Sequence, residues 1–249
     1  MINPIAGLTY FIRGLGIVFS PGIKRYVILP LTINTCLFIA AIWLGFSYVG
    51  GWIDSLMPSF PAWLSSVDWL ISGLLYFLFG VICILVVFFT FSMVANVIAA
   101  PFNDLLCEAV AKKLGGENVF KNADQKPFLT TIIPSMLHEM RKLVYFVLWS
   151  IPFLILLIIP GINIIGAVLW FLFSAWMLNY EYMEYPMSQD NLDFAQQKKQ
   201  LKSRKFLSLS YGSILSAATL IPFINFLVMP VAVAGATAIW LDVSSKHAK

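Results

Sequence analysis

Trp69-Leu70-Ile71-Ser72-Gly73-Leu74-Leu75-Tyr76-Phe77-Leu78-Phe79-Gly80-Val81-Ile82-Cys83-Ile84-Leu85-Val86-Val87-Phe88-Phe89 opens a stretch that reaches Asn103 without one charged residue. Its core is apolar on every side. A run of 18 or more such residues reads as a membrane span, because in lipid a helix satisfies all of its own backbone groups. Trp69 to Ala100 as one helix would measure about 48 Å, against a hydrocarbon core of about 30 Å, so the rod crosses and projects beyond. Every other segment is placed relative to it.

Composition agrees. Charged residues make up 11% of the 249 and hydrophobic ones 60%, with a mean hydropathy of +0.86, whereas a soluble domain carries roughly 25% charge. The chain reads as one integral membrane domain, 1–249. Met1-Ile2-Asn3-Pro4 lacks the basic head and cleavage site of a signal peptide, so the first spans are expected to direct insertion. Cys36, Cys83 and Cys107 have no metal-like spacing and read as small buried hydrophobes without a disulfide.

The placement of charge gives topology. Loop 50–68 holds Asp54 and Asp68 but none of the 16 lysines and arginines. By the positive-inside rule that loop is translocated and the other connections are cytoplasmic. Two further apolar runs, 144–178 and 206–241, are each broken near the middle by proline. If each crossed once, the basic segment 198–205 would be stranded outside. Their four arms are 16 or 17 residues, about 24–26 Å if helical, just short of a span. We therefore read two hairpins that dip into the bilayer and return. The breaks share the pattern Ile-Pro-x-Ile-Asn, at 159–163 and 221–225, which suggests an internal repeat with broken helices.

The expected fold is an all-α integral membrane protein with two long transmembrane helices, two pairs of shorter, partly penetrating (re-entrant) helices, and cytoplasmic helical extensions. Its parts are an interfacial helix at 1–20, a first long helix at 21–50, a second at 69–114, and hairpins at 128–180 and 205–242. Segment 186–205 is a solvated connector.

The sharpest local signal is Ser20-Pro21-Gly22-Ile23-Lys24-Arg25. Serine is a favoured N-cap and proline suits the first helical position. Orphan N–H groups and the positive dipole end make such a helix start a ready anion site, to which Lys24 and Arg25 add full charges. On residue chemistry alone the reading of these two cations as topology-setting charges beside a capped helix comes first.

Resemblance reverses that balance. Ser-Pro-Gly-Ile-Lys-Arg-Tyr-Val-Ile-Leu-Pro at 20–30, Asn-Val-Ile-Ala-Ala-Pro-Phe-Asn at 96–103, Leu-Trp-Phe-Leu-Phe-Ser-Ala-Trp-Met at 169–177 and Met-Pro-Val-Ala-Val-Ala-Gly-Ala-Thr-Ala at 229–238 resemble, in order, the blocks of the bacterial sulfate permease CysZ family. The resemblance implies a multi-pass permease of the bacterial cell inner membrane with cytoplasmic termini, taking up sulfate for cysteine synthesis. It implies a homo-oligomer in the lipid bilayer, with no cofactor and no nucleic-acid partner. The family's Gly-Leu-Arg-Arg sulfate block falls on Gly22, Ile23, Lys24 and Arg25. Arginine to lysine at position 24 exchanges a planar fork for a point charge, so Arg25 becomes the leading ligand.

A conduction path needs polar groups facing the interior, and Asn34, Asn96, Asn103, Glu108, Glu139 and Arg141 are the candidates, since polar side chains at membrane depth are costly unless partnered or used. Asn163 and Asn225 read first as caps of the second half-helices. Two other classes compete with a permease. A hydrolase or metalloenzyme needs clustered ligands or a nucleophile–base pair, and His138-Glu139 has no second histidine four residues on; Glu181 and Glu184 on one helical face read as solvated acids. The remaining alternative is a non-transporting scaffold or regulatory subunit of an anion uptake system.

Overall fold

The computed structural model describes residues 5–56, 68–116, 120 and 128–245. Among them the secondary structure is helical: α1 (Ala6–Val18), α2 (Arg25–Leu56), α3 (Asp68–Lys113), α4 (Phe128–Ile158), α5 (Asn163–Gln189), α6 (Phe194–Ser203), α7 (Lys205–Thr219) and α8 (Pro222–Ser245). Five are long and apolar enough to cross a membrane, with candidate spans at Arg25–Trp43, Trp69–Val87, Met140–Ile158, Asn163–Gln189 and Ile224–Ser245. The chain divides into two compact units, residues 28–102 and residues 1–27 with 103–249.

The 28–102 unit holds most of α2 and the first part of α3. Its large side chains face outward: Trp43, Phe77, Ile84 and Phe89 are all exposed. Pro30 and Pro101 lie inside these helices. Proline is tolerated in membrane helices where other groups satisfy the freed carbonyl.

The second unit has the core. Tyr180, Tyr211, Leu106, Met187, Leu215 and the run Val231–Ala234 are buried in one cluster. α7 and α8 pack on α1, and α5 lies against α4, α7 and α8. α1, expected as an interfacial helix, turns one face inward: Gly7 donates its N–H to Ser210 Oγ at 3.2 Å, and Gly14 abuts the Val231 carbonyl and Gly235. Ile5, Ile12 and Phe19 stay exposed on its other face.

Three of the four hairpin helices, α4, α5 and α8, outrun the apolar arms read from sequence. α5 continues past Leu178 to Gln189, 27 residues, or about 40 Å. A hydropathy scan stops at Asn179 and Glu181, but Tyr180, Tyr182, Met183 and Met187 are buried in protein, so the helix persists where lipid no longer covers it. α7 has 15 residues, about 22 Å. The shared Ile-Pro-x-Ile-Asn pattern also sits in two registers. Pro160 precedes α5, in a turn with Gly161, whereas Pro222 is the first residue of α8. Neither asparagine caps: Ile162 is the N-cap of α5, without a side-chain bond, and Asn225 lies one turn into α8 with its N–H on the Ile221 carbonyl.

The polar connector is ordered by a few bonds. Asp193 and Gln196 form a reciprocal capping box at the start of α6, and buried Gln197 accepts from Tyr180 OH at 2.9 Å while donating to Ser188 Oγ and the Leu192 carbonyl.

Candidate anion site

Residues 19–24 join α1 to α2 as a turn, and α2 proper begins at Arg25 rather than at Pro21. Ser20 does not cap α2. Its hydroxyl turns back to donate to the Ile17 carbonyl of α1. The cause is Gly22, held at φ +87°, a left-handed conformation that ends any helix begun at Pro21. Ile23 is anchored at 3% exposure and Lys24 and Arg25 point to solvent. In this turn the N–H groups of Ile23, Tyr26 and Val27 bond to the carbonyls of Ser20, Ile23 and Lys24. Those of Gly22, Lys24 and Arg25 find no such acceptor among the described residues and are left for solvent or a ligand.

Arg25 is not a free rotor. Its guanidinium lies 4.8 Å from the Tyr26 ring centroid and donates to Tyr26 OH at 2.8 Å. Stacking on an aromatic face restricts the fork before any ligand arrives.

The end of α3 completes the site. Lys113 Nζ donates to the Pro21 carbonyl at 3.3 Å, across 92 residues of sequence. Lys112 and Lys113 occupy the last turn of α3, stopped where the Gly116 N–H reaches back to the Ala111 carbonyl and Gly115 adopts φ +73°. Together with Glu108 and Leu105 they face Pro21, Gly22, Ile23 and Tyr26 across an open cleft of about 490 Å³. The sequence signal for Lys112 and Lys113 was only that of cations at a helix C-terminus, where they complement the dipole.

Of the other polar candidates, Glu108 lines this cleft. Asn103 is buried, and its amide donates to Tyr185 OH at 3.1 Å and to Met229 Sδ at 3.3 Å. Arg141 is exposed. Asn34 lies on α2 in the 28–102 unit, and its Oδ1 is buried without a partner among the described residues. The side chains of Asn96 and Glu139 lie outside the described residues. Glu181 and Glu184 are not simply solvated acids: Lys142 Nζ bridges them at 3.0 and 2.8 Å. Asp104 stands nearby, its carboxyl pushed up to about 6 by burial and by Glu184.

Two features hold α1, and so the turn that follows it. Asp242 of α8 receives Arg13 at 2.6 Å and Tyr10 OH at 3.0 Å. Burial and that carboxylate push the Tyr10 phenol up to about 12. Cys107, buried at the end of α3, is an inert thiol pushed up to about 12 by burial, with Thr237 Oγ1 3.2 Å away; Cys36, by contrast, is exposed.

Comparison with known proteins is consistent along almost the whole chain. The family described as sulfate transporter CysZ/etoposide-induced protein 2.4 matches residues 10–230. A Pseudomonas fluorescens protein named sulfate transporter CysZ is 42% identical over 237 residues, covering 95% of this chain and 93% of its own. Proteins of the same name from Pseudomonas aeruginosa and Pectobacterium atrosepticum are 36% and 39% identical, covering 98% and 95% of this chain and 98% and 85% of theirs.

Proposed function

Because the chain belongs to the family of sulfate transporter CysZ and etoposide-induced protein 2.4, we propose that it is a permease that brings sulfate across the bacterial cell inner membrane for assimilation into cysteine. Gly22, Ile23, Lys24 and Arg25 bind the anion, with Lys112 and Lys113 as further cations. The observation that carries this reading is the cleft where the turn before α2 meets the last turn of α3. A tetrahedral dianion there would meet the backbone N–H of Gly22 and the ammonium groups of Lys112 and Lys113, while Lys24 and Arg25 follow on the same turn, exposed and outside the cleft's lining. Glu108 tempers that attraction. A conduction site must release what it binds, and one carboxylate beside the two lysines of the cleft weakens retention.

Charge placement supports hairpins that enter and leave from the cytoplasmic side, with both termini there. Their tips support it too. Ile158 is 80% exposed, Leu220 79% and Ile164 76%, apolar tips suited to hydrocarbon rather than water. The exposed apolar faces of α2 and α3 suit lipid and further copies of the chain, so the transporting form is a homo-oligomer.

The test is labelled-sulfate uptake into proteoliposomes holding the purified protein alone, with and without an imposed pH gradient. Arg25→Ala should lower uptake at least tenfold, and Lys112→Gln with Lys113→Gln should weaken sulfate binding by a smaller factor. Uptake by the wild type that survives Arg25→Ala undamaged would move the site elsewhere. A folded wild type without any flux would instead favour the scaffold or regulatory reading.

A further inference from the structure

Five basic residues crowd the connector between the hairpins, and they do not share one environment. Lys198 lies over the rings of Tyr145 and Phe194, and Lys205 over that of Phe206. Lys199 and Arg204 instead line a groove of about 440 Å³ with Gln196, Gln200, Trp240 and Ser244, between α6 and the end of α8. Topology needs only charge on the correct side, which Lys198, Lys202 and Lys205 supply. It does not explain a built groove.

We propose that this groove binds the phosphate headgroup of an anionic phospholipid. Arg204 is held in place within it, since its Nη1 donates to Gln200 Oε1 at 2.8 Å. It is also the N-cap residue of α7 and gives that helix no side-chain cap, so the positive end of α7 lies beside the guanidinium. Behind Arg204 a pocket of about 20 Å³, room for one water, shares Gln200, Arg204, Trp240 and Val243 with the groove. Asn179 lines that pocket at 1% exposure, and its Nδ2 has no partner among the described residues. Donors therefore line the groove from α6 and the start of α7, with Asn179 of α5 in the water-sized pocket behind them. One carboxylate, Asp190, also lines the groove, and burial holds it above its usual range, which disfavours its charge.

The surroundings favour a lipid over a free oxyanion. Leu192, Trp240 and Val243 give the groove itself an apolar wall, and Phe206 at the start of α7 is 52% exposed. Trp240 stands among them, a residue type that settles at headgroup level. Basic side chains at the cytoplasmic surface gain from anionic lipid, and apolar walls offer nothing to an inorganic ion.

Native mass spectrometry of the full chain, released from bilayers of equal phosphatidylglycerol and phosphatidylcholine, tests this. The wild type should retain phosphatidylglycerol preferentially. Lys199→Gln with Arg204→Gln should reduce that preference roughly 30-fold, about fivefold for each basic side chain removed. Lys202→Gln with Lys205→Gln should leave it nearly intact, and Lys199→Arg with Arg204→Lys should preserve it and show that the position tolerates substitution. Equal retention by the two neutralised pairs would overturn the proposal. So would displacement of the lipid by millimolar inorganic phosphate or sulfate, which would make this an oxyanion site.

Discussion

α3 and α8 are both apolar enough to cross a membrane, yet none of Trp69–Val87 is buried whereas Val228 and every residue from Val231 to Leu241 are. Hydropathy is higher in the exposed run and marks both as spans, so it does not explain which one is enclosed. Side-chain size does. The outer run is built of leucine, phenylalanine, isoleucine and valine, whose bulk keeps other backbones away, whereas Val231–Ala238 is valine, alanine, glycine and threonine. Small residues let helices approach closely, and in lipid close packing supplies the association that the hydrophobic effect does not. Thus α8 is enclosed, with Tyr211 OH donating to the Ala232 carbonyl at 2.8 Å, while the rod is left for lipid or another copy.

The strongest way to break that contrast is to exchange sizes. Ala234, at 0% exposure, has no room for a larger side chain. Ala234→Leu should cost about 1–3 kcal/mol or more through overpacking, seen as a lowered thermal midpoint in detergent. Leu74, 65% exposed, should accept Leu74→Phe within about 0.5 kcal/mol. Similar losses at both positions would mean that the exposed rod is as tightly enclosed as α8.

The same contrast marks what could be read from residues alone. An all-helical membrane protein was legible because runs such as 69–103 admit few other readings, and the wide spacing of the basic clusters gave a topology to propose. The full length of α5 was not legible: Asn179 and Glu181 look like an exit from lipid, but there the cover changes from lipid to protein. Nor was the start of α2. Ser20-Pro21 matches a helix-start signal, and Gly22 in a left-handed conformation overrides it. Ser20 to Arg25 stood out as a helix-start signal beside two cations, and only the family resemblance made Gly22 to Arg25 an anion site to propose. Lys112 and Lys113 matched only the rule for cations at a helix C-terminus, since what brings Lys113 to the turn is a contact 92 residues away.

A smaller effect should follow from loosening the seam between α1 and α8. Asp242→Asn removes the negative charge shared by Arg13 and Tyr10 and puts an amide in place of the carboxylate. Arg13 and Asp242 are 38% and 37% exposed, so screening limits their pair to about 1 kcal/mol or less. The more telling readout is the phenol. Part of what raises Tyr10 is Asp242, so its ultraviolet titration should begin at lower pH in the variant, while burial keeps it from returning fully to 10. A titration unchanged by the substitution would show that α1 does not rest on α8 through this carboxylate. Sulfate binding should weaken modestly as the following turn loses its support.

The smallest effect belongs to Asp104, just inside the packed unit, where α3 leaves the bare run behind, because its side chain also reaches solvent and water screens its charge. Its carboxyl is raised to about 6 from an ordinary 3.8, so between those values the native chain holds more protons than the unfolded one. Stability then falls as pH rises through that window, reaching its full cost above 6 and vanishing below about 4. Asp104→Asn never carries the charge. The variant should therefore exceed the wild type in thermal midpoint by a few degrees at most at pH 8, less at pH 6, and not at all near pH 4. Because every other titrating group is common to both proteins, the difference isolates this one carboxyl. A constant offset at all three values would mean that the substituted amide changes packing and that Asp104 is not held protonated beside Glu184; an inverted slope would mean that a cation, with Lys142 the nearest candidate through Glu184, already stabilises its charge.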